Sequence, residues 1–173
     1  MKLFKFLGIL FLLSSCNAPQ AVYDYDQQVN FQKYKTYALF PDFKTGLSQL
    51  DEQRLIRSID EKMQAKGFTR AGDPGIYVNV YTQTFQEDNR SRVGIGVGGG
   101  GGNVGVGVSG GIPLGPMDTI LKLTFDFIDV EKDNLVWQAV IESPFDFNAS
   151  PEKRQSRFDK IVETALEGYP PKK

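Results

Sequence analysis

Apolar side chains recur at every second position in two stretches of the C-terminal half, residues 118–130 and 135–142. The eight positions are Leu121, Leu123, Phe125, Phe127, Leu135, Trp137, Ala139 and Ile141. Alternate residues of a strand point to the same face, so each stretch predicts a strand with one apolar face. Residues 131–134, with the sequence EKDN, predict the turn that joins them into a hairpin. Such a hairpin must cover its apolar face, most simply with helices.

Two other segments have the spacing of helices, with apolar residues three and four positions apart. The residues that mark their ends are Ser48, Asp51 and Gly67 in the first helix and Ser150, Pro151 and Gly168 in the second. The serines fit N-terminal caps, the proline fits a first helical position, and the glycines fit C-terminal caps. Each helix would bury one stripe and leave its other face in solvent.

Three shorter stretches predict further strands, at residues 22–25, 34–40 and 76–85. The order is then strand, strand, helix, strand, long hairpin, strand, strand, helix. We therefore predict an α+β fold, a two-layer sandwich in which a mostly antiparallel sheet packs two helices on one face. Residues 22–173 would form this single domain, which is large enough for one core.

A glycine-rich insert, residues 94–111, interrupts this pattern, with glycine at 11 of its 18 positions. The apolar residues that alternate with glycine are Ile95, Val97, Val104, Val106 and Val108. Their period of two predicts the extended arms of a long hairpin, with residues 98–103 at its tip. Because glycine has no side chain to pack, we expect arms that either fray or order against a partner. The five residues are candidate partner contacts, and a passive low-complexity loop is the alternative.

Residues 1–15 have the composition of a secretory signal peptide. Lys2 and Lys5 supply a positive start, and the apolar run that follows is shorter than the roughly 20 residues of a spanning helix. The sequence LSSC at 13–16 resembles the lipobox cut by lipoprotein signal peptidase, which implies cleavage before Cys16 and lipid on its thiol. Cys16 is the only cysteine, so no intramolecular disulfide can form. We predict a mature protein held in a membrane through this lipid.

Residues 16–21 form the lipidated anchor and a short linker in this prediction. Five linker residues reach at most roughly 17 Å when extended, so the domain would sit close to its membrane. Asn17 stands where an aspartate would retain an enteric lipoprotein in the inner membrane. Its identity favours the outer membrane, with the domain facing the periplasm of the bacterial cell envelope.

Charge and residue types argue against several functions. Without residues 1–15, 18 basic residues stand against 21 acidic ones and no basic cluster occurs, so we predict no nucleic-acid partner. Histidine is absent, which removes the usual general base near neutral pH and the commonest metal ligand. We predict no metal, no cofactor and no enzymatic activity.

Two pairs of carboxylates leave one catalytic alternative open, an envelope glycan hydrolase. Asp24 and Asp26 share one face of an extended segment, and Asp126 and Asp129 lie near a strand end. Glycosidases place two carboxylates on opposite sides of the bond that they cut. The structural interpretation is that these side chains cap turns or pair with lysines. A calcium loop at 129–134 is a weaker alternative, because it lacks the glycine and the final glutamate of such loops.

Several short motifs span nearly the whole mature chain in a defined order. They are YDYD at 23–26, FQKYKTY at 31–37, KGF at 66–68, DP at 73–74, the glycine-rich insert, LVW at 135–137 and YPP at 169–171. In this order they resemble a family of bacterial lipoproteins, the domain-of-unknown-function family 4136. The resemblance implies an exported lipoprotein with an α+β domain, and it implies no activity and no binding residues.

Taken together, these features favour a non-catalytic binding or scaffold module of the envelope. Its expected partners are the membrane, through the lipid on Cys16, and either an envelope protein or peptidoglycan. The glycine-rich insert is the expected contact element, because extended arms of alternating valine and glycine can add to the edge of another sheet.

Overall fold

The computed structural model describes residues 19–88, 92–93, 112–113 and 117–171 of the 173-residue chain. Within these residues a six-stranded sheet carries two helices, and a two-stranded ladder flanks the glycine-rich insert. The strands are β1 (Gln20–Tyr25), β2 (Thr36–Leu39), β3 (Thr69–Arg70), β4 (Ile76–Glu87), β5 (Arg92–Val93), β6 (Ile112–Pro113), β7 (Asp118–Asp129) and β8 (Asn134–Pro144). The helices are α1 (Gln49–Ala65) and α2 (Pro151–Glu167), and a 3-10 turn covers Phe31–Lys33.

The sheet has the strand order β1-β8-β7-β4-β2-β3. Strands β1, β8, β7 and β4 pair antiparallel, whereas β2 pairs in parallel with both β3 and β4. The parallel pairing of β2 with β4 arises because α1 carries the chain back between them. The predicted α+β fold, with a mostly antiparallel sheet and two helices, is confirmed. Strand β3 is too short for any alternation to reveal it in the sequence.

Each helix begins at its predicted cap. Ser48 accepts the backbone N–H of Asp51 at 3.4 Å, and Ser150 accepts that of Lys153 at 3.5 Å. Pro151 occupies the start of α2 as expected. These side chains satisfy backbone donors that have no partner inside the helix.

The two helices lie side by side on one face of the sheet and run in the same direction. Ser58 of α1 donates its hydroxyl to Asp159 of α2 at 2.7 Å, and one turn later Lys62 pairs with Glu163 at 3.2 Å. Their apolar stripes join the inner face of the sheet in a single buried cluster. Both helices therefore start at the same end of the molecule.

Trp137 lies at the centre of this cluster and is fully buried. Its ring packs against Phe127 at 4.8 Å and against Tyr169 at 5.2 Å between ring centroids. Aromatic pairs at such separations contribute about 0.5–1.5 kcal/mol beyond the area they bury. The expectation that Trp137 packs in the core is confirmed.

Leu135 is the exception to the predicted apolar face of the hairpin. The register shifts between Phe127 and Ile128, so that Trp137 lies opposite Phe127 while Leu135 lies opposite Ile128. Val136 is the extra residue of this irregularity and is 1% exposed, whereas Leu135 is 47% exposed. The placement of Leu135 on the core face was wrong, because one inserted residue reverses the alternation beyond it.

The signal peptide, Cys16 and the glycine-rich insert lie outside the described residues. The predicted hairpin at 94–111 and the boundary at 15 therefore stay predictions. The predicted boundary at 21 falls within β1, which already begins at Gln20 and pairs with β8 there. At the base of the insert, β5 pairs antiparallel with β6, with Val93 opposite Ile112. In the described part of the chain, no helix is long and apolar enough to cross a membrane.

Candidate functional site

The chain enters the sheet and the glycine-rich insert leaves it at the same end. Gln20, the first residue of β1, lies opposite Glu142 near the end of β8. Glu87, the last residue of β4, lies opposite Asp118, the first residue of β7. We call this the entry end and define it by Gln20, Glu87, Asp118 and Pro144. The opposite end, the far end, is defined by Tyr25, Ile76, Asp129 and Asn134.

Both helices also start at the entry end, where a buried ion cluster joins them. Asp51, in the first turn of α1, is completely buried. Arg54 donates to its carboxylate at 2.8 Å, and Arg154 from the first turn of α2 pairs with the other carboxylate oxygen. Two guanidinium groups on one carboxylate satisfy a charge that burial would otherwise penalise strongly. The cluster fixes the relative position of the two helix starts.

An open cleft of about 640 Å³ lies at the entry end, between the start of α2 and the adjoining ends of β7 and β8. Phe145 and Phe147 form its apolar wall, with ring centroids 4.8 Å apart. Lys153 and Arg157 line it from α2. Arg157 donates its Nε–H to the carbonyl of Pro144 at 3.0 Å, and burial lowers the pKa of Arg157. The cleft also contains two acidic residues, Asp118 and Asp146, so its charge is mixed.

Four large apolar side chains around the entry end are exposed to solvent. The exposed fractions are 62% for Leu50, 41% for Met117, 40% for Phe85 and 37% for Phe147. Leu50 lies in the first turn of α1, Phe85 near the end of β4, Met117 just before β7 and Phe147 in the connection after β8. We call these four residues the apolar rim. They come from four separate segments of the chain.

The sheet face that points away from the helices carries a row of polar side chains. The register aligns them across β1, β8, β7 and β4 in the order Asp24, Gln138, Asp126 and Asn79. Gln138 donates its side-chain N–H to Asp126 at 2.7 Å. Burial raises the pKa of Asp126, and the hydrogen bond from Gln138 opposes this rise. Burial thus makes the Asp126 carboxylate easier to protonate than a solvent-exposed aspartate.

Asp129 lies on the opposite face of β7, at the far end, and does not form a pair with Asp126. Lys33 and Tyr34 both donate to its Oδ2, at 2.7 and 2.6 Å, and the backbone N–H of Lys132 donates to Oδ1 at 3.0 Å. Burial would raise the pKa of Asp129, but these hydrogen bonds lower it to about 2. Asp129 therefore joins the 3-10 turn region to the β7–β8 turn, which is a structural role.

The remaining carboxylates of the predicted pairs accept backbone N–H groups that are close to them in sequence. Asp24 accepts the backbone N–H of Tyr25 at 2.9 Å, and Asp26 accepts that of Gln28 at 2.8 Å. Asp133, in the predicted calcium loop, adopts a positive φ of 50°. Among the residues that the structure describes, no group of three or more histidine, cysteine, aspartate or glutamate side chains could hold a metal ion.

The carboxylates of the predicted catalytic alternative are thus described, whereas the predicted lipidation and partner-contact residues are not. Cys16 and the five apolar insert residues fall outside the described ranges, but the points at which both segments join the domain are described and lie at the same end of the sheet. Sequence reasoning missed the apolar rim. The sequence gives only a weak indication of this rim, because Leu50 and Phe147 do not follow the apolar periodicity of the neighbouring elements.

The described residues define an open-faced α+β sandwich whose chain entry, insert base and helix starts share one end. The chain belongs to a family described as a domain of unknown function, DUF4136, whose model matches residues 21–171. No curated protein matches the sequence.

Solved structures with a similar fold are distant in sequence. A PDZ domain protein from Parabacteroides distasonis ATCC 8503 has a TM-score of 0.54 at 12% identity, over 90% of this chain and 37% of that one. The chain thus spans little more than a third of that structure, and the likeness concerns the fold alone. Two structures of the PelC dodecamer from Paraburkholderia phytofirmans have TM-scores of 0.47 at 14% and 12% identity. Each of these two superpositions covers 86% of this chain and 96% of the PelC chain.

Proposed function

We propose that the mature chain is a lipoprotein of the bacterial envelope, a non-catalytic binding or scaffold module held in the outer membrane by lipid on Cys16. The observation that carries this proposal is the shared entry end. The first described residue, Pro19, leads directly into Gln20 at this end. Only two residues, Asn17 and Ala18, separate Pro19 from Cys16, and the three Cα–Cα steps between them reach about 10 Å. A lipid on Cys16 would therefore hold the entry end against the membrane.

The strands that lead into and out of the insert, β4 and β7, end and begin at the same end of the sheet at which β1 begins. The paired strands β5 and β6 lie at the base of the insert, so both arms start next to each other. Arms of ~12 residues reach roughly 40 Å when extended, well beyond the tether. An envelope protein or peptidoglycan near the membrane lies within that distance. The alternating residues Ile95, Val97, Val104, Val106 and Val108 would add to an exposed sheet edge of such a partner.

The lipid is tested by mass spectrometry of the protein extracted from membranes. The expected result is a mature chain that starts at Cys16 and carries acyl groups, and a Cys16→Ser chain that is found in the soluble fraction. An unmodified Cys16 in a membrane-free protein would refute the anchor.

The contact is tested by crosslinking the lipidated chain in its native envelope. The matched variant keeps the length of the insert but replaces its five apolar residues with serine, and a second variant lacks residues 94–111. We expect one captured partner that both variants lose. Identical captures by all three chains would show that the insert is a passive loop.

A glycan hydrolase remains the second candidate, and one observation favours it. Asp24 and Asp126 lie on the same open face, and their backbones are two strand spacings, or about 10 Å, apart across the sheet. The raised pKa of Asp126 suits a general acid. The test is release of soluble fragments from peptidoglycan by the full chain, by Asp126→Asn and by the exposed control Asp118→Asn. Activity that is lost only in Asp126→Asn would support the hydrolase, and no release by the unaltered chain would reject it.

A further inference from the structure

We infer that the entry end itself rests on the lipid surface, so that the sheet stands end-on and the apolar rim dips into the boundary between headgroups and acyl chains. This inference rests on the proposed lipid anchor and adds a second, direct contact between the domain and the bilayer. The partner is a phospholipid surface, recognised by four exposed apolar side chains flanked by cations.

The first argument is the position of the rim. Met117 and Phe147 line the same entry-end cleft. Leu50 precedes Asp51, whose carboxylate pairs with Arg154 at the edge of that cleft. Phe85 lies opposite Ile120 in β7, beside the segment that forms the cleft. Four separate parts of the chain thus bring an apolar side chain to the end at which the chain enters.

The second argument is the chemistry of the rim. Large apolar residues singly exposed are common on soluble proteins, and this domain also exposes Val22 and Leu135. What the four rim residues share is the end of the domain to which the anchor is joined. Lys153 and Arg157 border the rim and suit lipid phosphates. Acidic residues, Asp118 and Asp146, lie in the same cleft, so net charge is not the driving force. Shallow burial of apolar side chains at the interface is the expected mode of contact.

The third argument is the length of chain outside the described residues. Two residues join Pro19 to Cys16, which leaves the entry end no freedom to move far from a bilayer that holds a lipid on Cys16. A second protein would have to fit between the rim and this surface. The short tether therefore makes the bilayer itself the surface that contacts the apolar rim.

The experiment compares two substitutions of the same kind at opposite ends. Leu50→Cys places a thiol in the rim, and Leu135→Cys places one at the far end, at a side chain that is also well exposed. Phe85 lies opposite Ile120 of β7 and Leu135 lies opposite Ile128. These two β7 residues are eight positions apart, which corresponds to about 26 Å along the strand. Phe147→Cys provides a second rim position. The full chain is extracted from membranes, labelled with an environment-sensitive fluorophore and placed in vesicles of phosphatidylethanolamine and phosphatidylglycerol that contain a nitroxide lipid.

We expect quenching at Leu50→Cys and Phe147→Cys that is several-fold stronger than at Leu135→Cys. Equal quenching at the three positions would overturn the end-on contact. The unsubstituted chain distinguishes this failure from failure of the anchor, because a lipidated Cys16 has no thiol to label. Label on the unsubstituted chain would refute the anchor, and the end-on contact with it.

Discussion

The backbone of Gln20 lies directly opposite that of Glu142 in the antiparallel pair of β1 with β8. Because β8 ends two residues later at Pro144 and leads into α2, this pairing puts the chain entry beside the start of the helix. A parallel pairing of β1 would have put the entry at the far end, away from the insert. The direction of one edge strand thus determines which part of the domain would face a membrane.

The ring of Tyr23 occupies the space that a side chain at position 168 would need, so only glycine fits there without a shift of the ring. A Cβ at Gly168 would lie 2.6 Å from that ring, which is fixed by a 2.6 Å hydrogen bond from the Tyr23 hydroxyl to the carbonyl of Thr164. The φ of Gly168 is −80°, so the backbone itself accepts alanine. We expect Gly168→Ala to lower the free energy of unfolding by about 1–3 kcal/mol, measured by urea denaturation.

The control for this prediction is Gly72→Ala, where a Cβ meets nothing within 4 Å. Its stability should stay within about 0.5 kcal/mol of the original chain. In a chain that already carries Tyr23→Ala, the loss of unfolding free energy caused by Gly168→Ala should be smaller. An equal cost with and without the Tyr23 ring would contradict the steric explanation.

The ion cluster at the helix starts should contribute far more than the ion pairs on the helix surface. Asp51→Asn leaves the partly buried Arg54 and Arg154 without their carboxylate, and we expect a loss of about 3 kcal/mol. Glu163→Gln removes an exposed partner of Lys62 and Lys160, with an expected loss below about 1 kcal/mol. Urea denaturation of the two variants at low salt checks the contrast, and losses of similar size would refute it.

Acid should weaken the protein through Asp129. Its pKa is about 2 in the fold and 3.8 without its partners, which corresponds to about 2 kcal/mol of stability. Because the pKa is lowered by folding, this contribution is present above pH 4 and is lost as the pH falls toward 2. Unfolding free energies from urea titrations between pH 7 and pH 2 should show this loss, and Asp129→Asn should be less stable at pH 7 with a flatter profile. An unchanged profile in Asp129→Asn would exclude this residue as the cause.

Asp126 should have the opposite pH dependence. Burial raises its pKa, so its charged form is less favourable in the fold than in the unfolded chain. The group favours folding below its ordinary pKa of 3.8, and this benefit is lost as the pH rises through the raised value. Asp126→Asn should therefore increase stability slightly at pH 7 and have no such effect in acid. Carboxyl NMR titration of Asp126 measures the pKa directly, and a value at or below 3.8 would contradict the prediction.

Local sequence determined most of the secondary structure. The caps at Ser48 and Ser150 and the helical spacing after them act within a few residues of chain, so they can be read without knowledge of the fold. The alternation from Leu121 to Phe127 is equally local, and it specified a strand with one face in the core. The order of short motifs was also sufficient to identify the family.

Tertiary structure decided the features that depend on distant partners. The extra residue at Val136 moved Leu135 out of the core because register is set between strands and not within one. Lys33 pairs with Asp129, which is 96 positions away in the sequence, and no local sequence pattern predicts such a pair. The gathering of Leu50, Phe85, Met117 and Phe147 at one end likewise follows from strand directions and helix packing. Sequence alone therefore determined the elements and their apolar faces, whereas contacts between elements distant in sequence decided which residues share a surface.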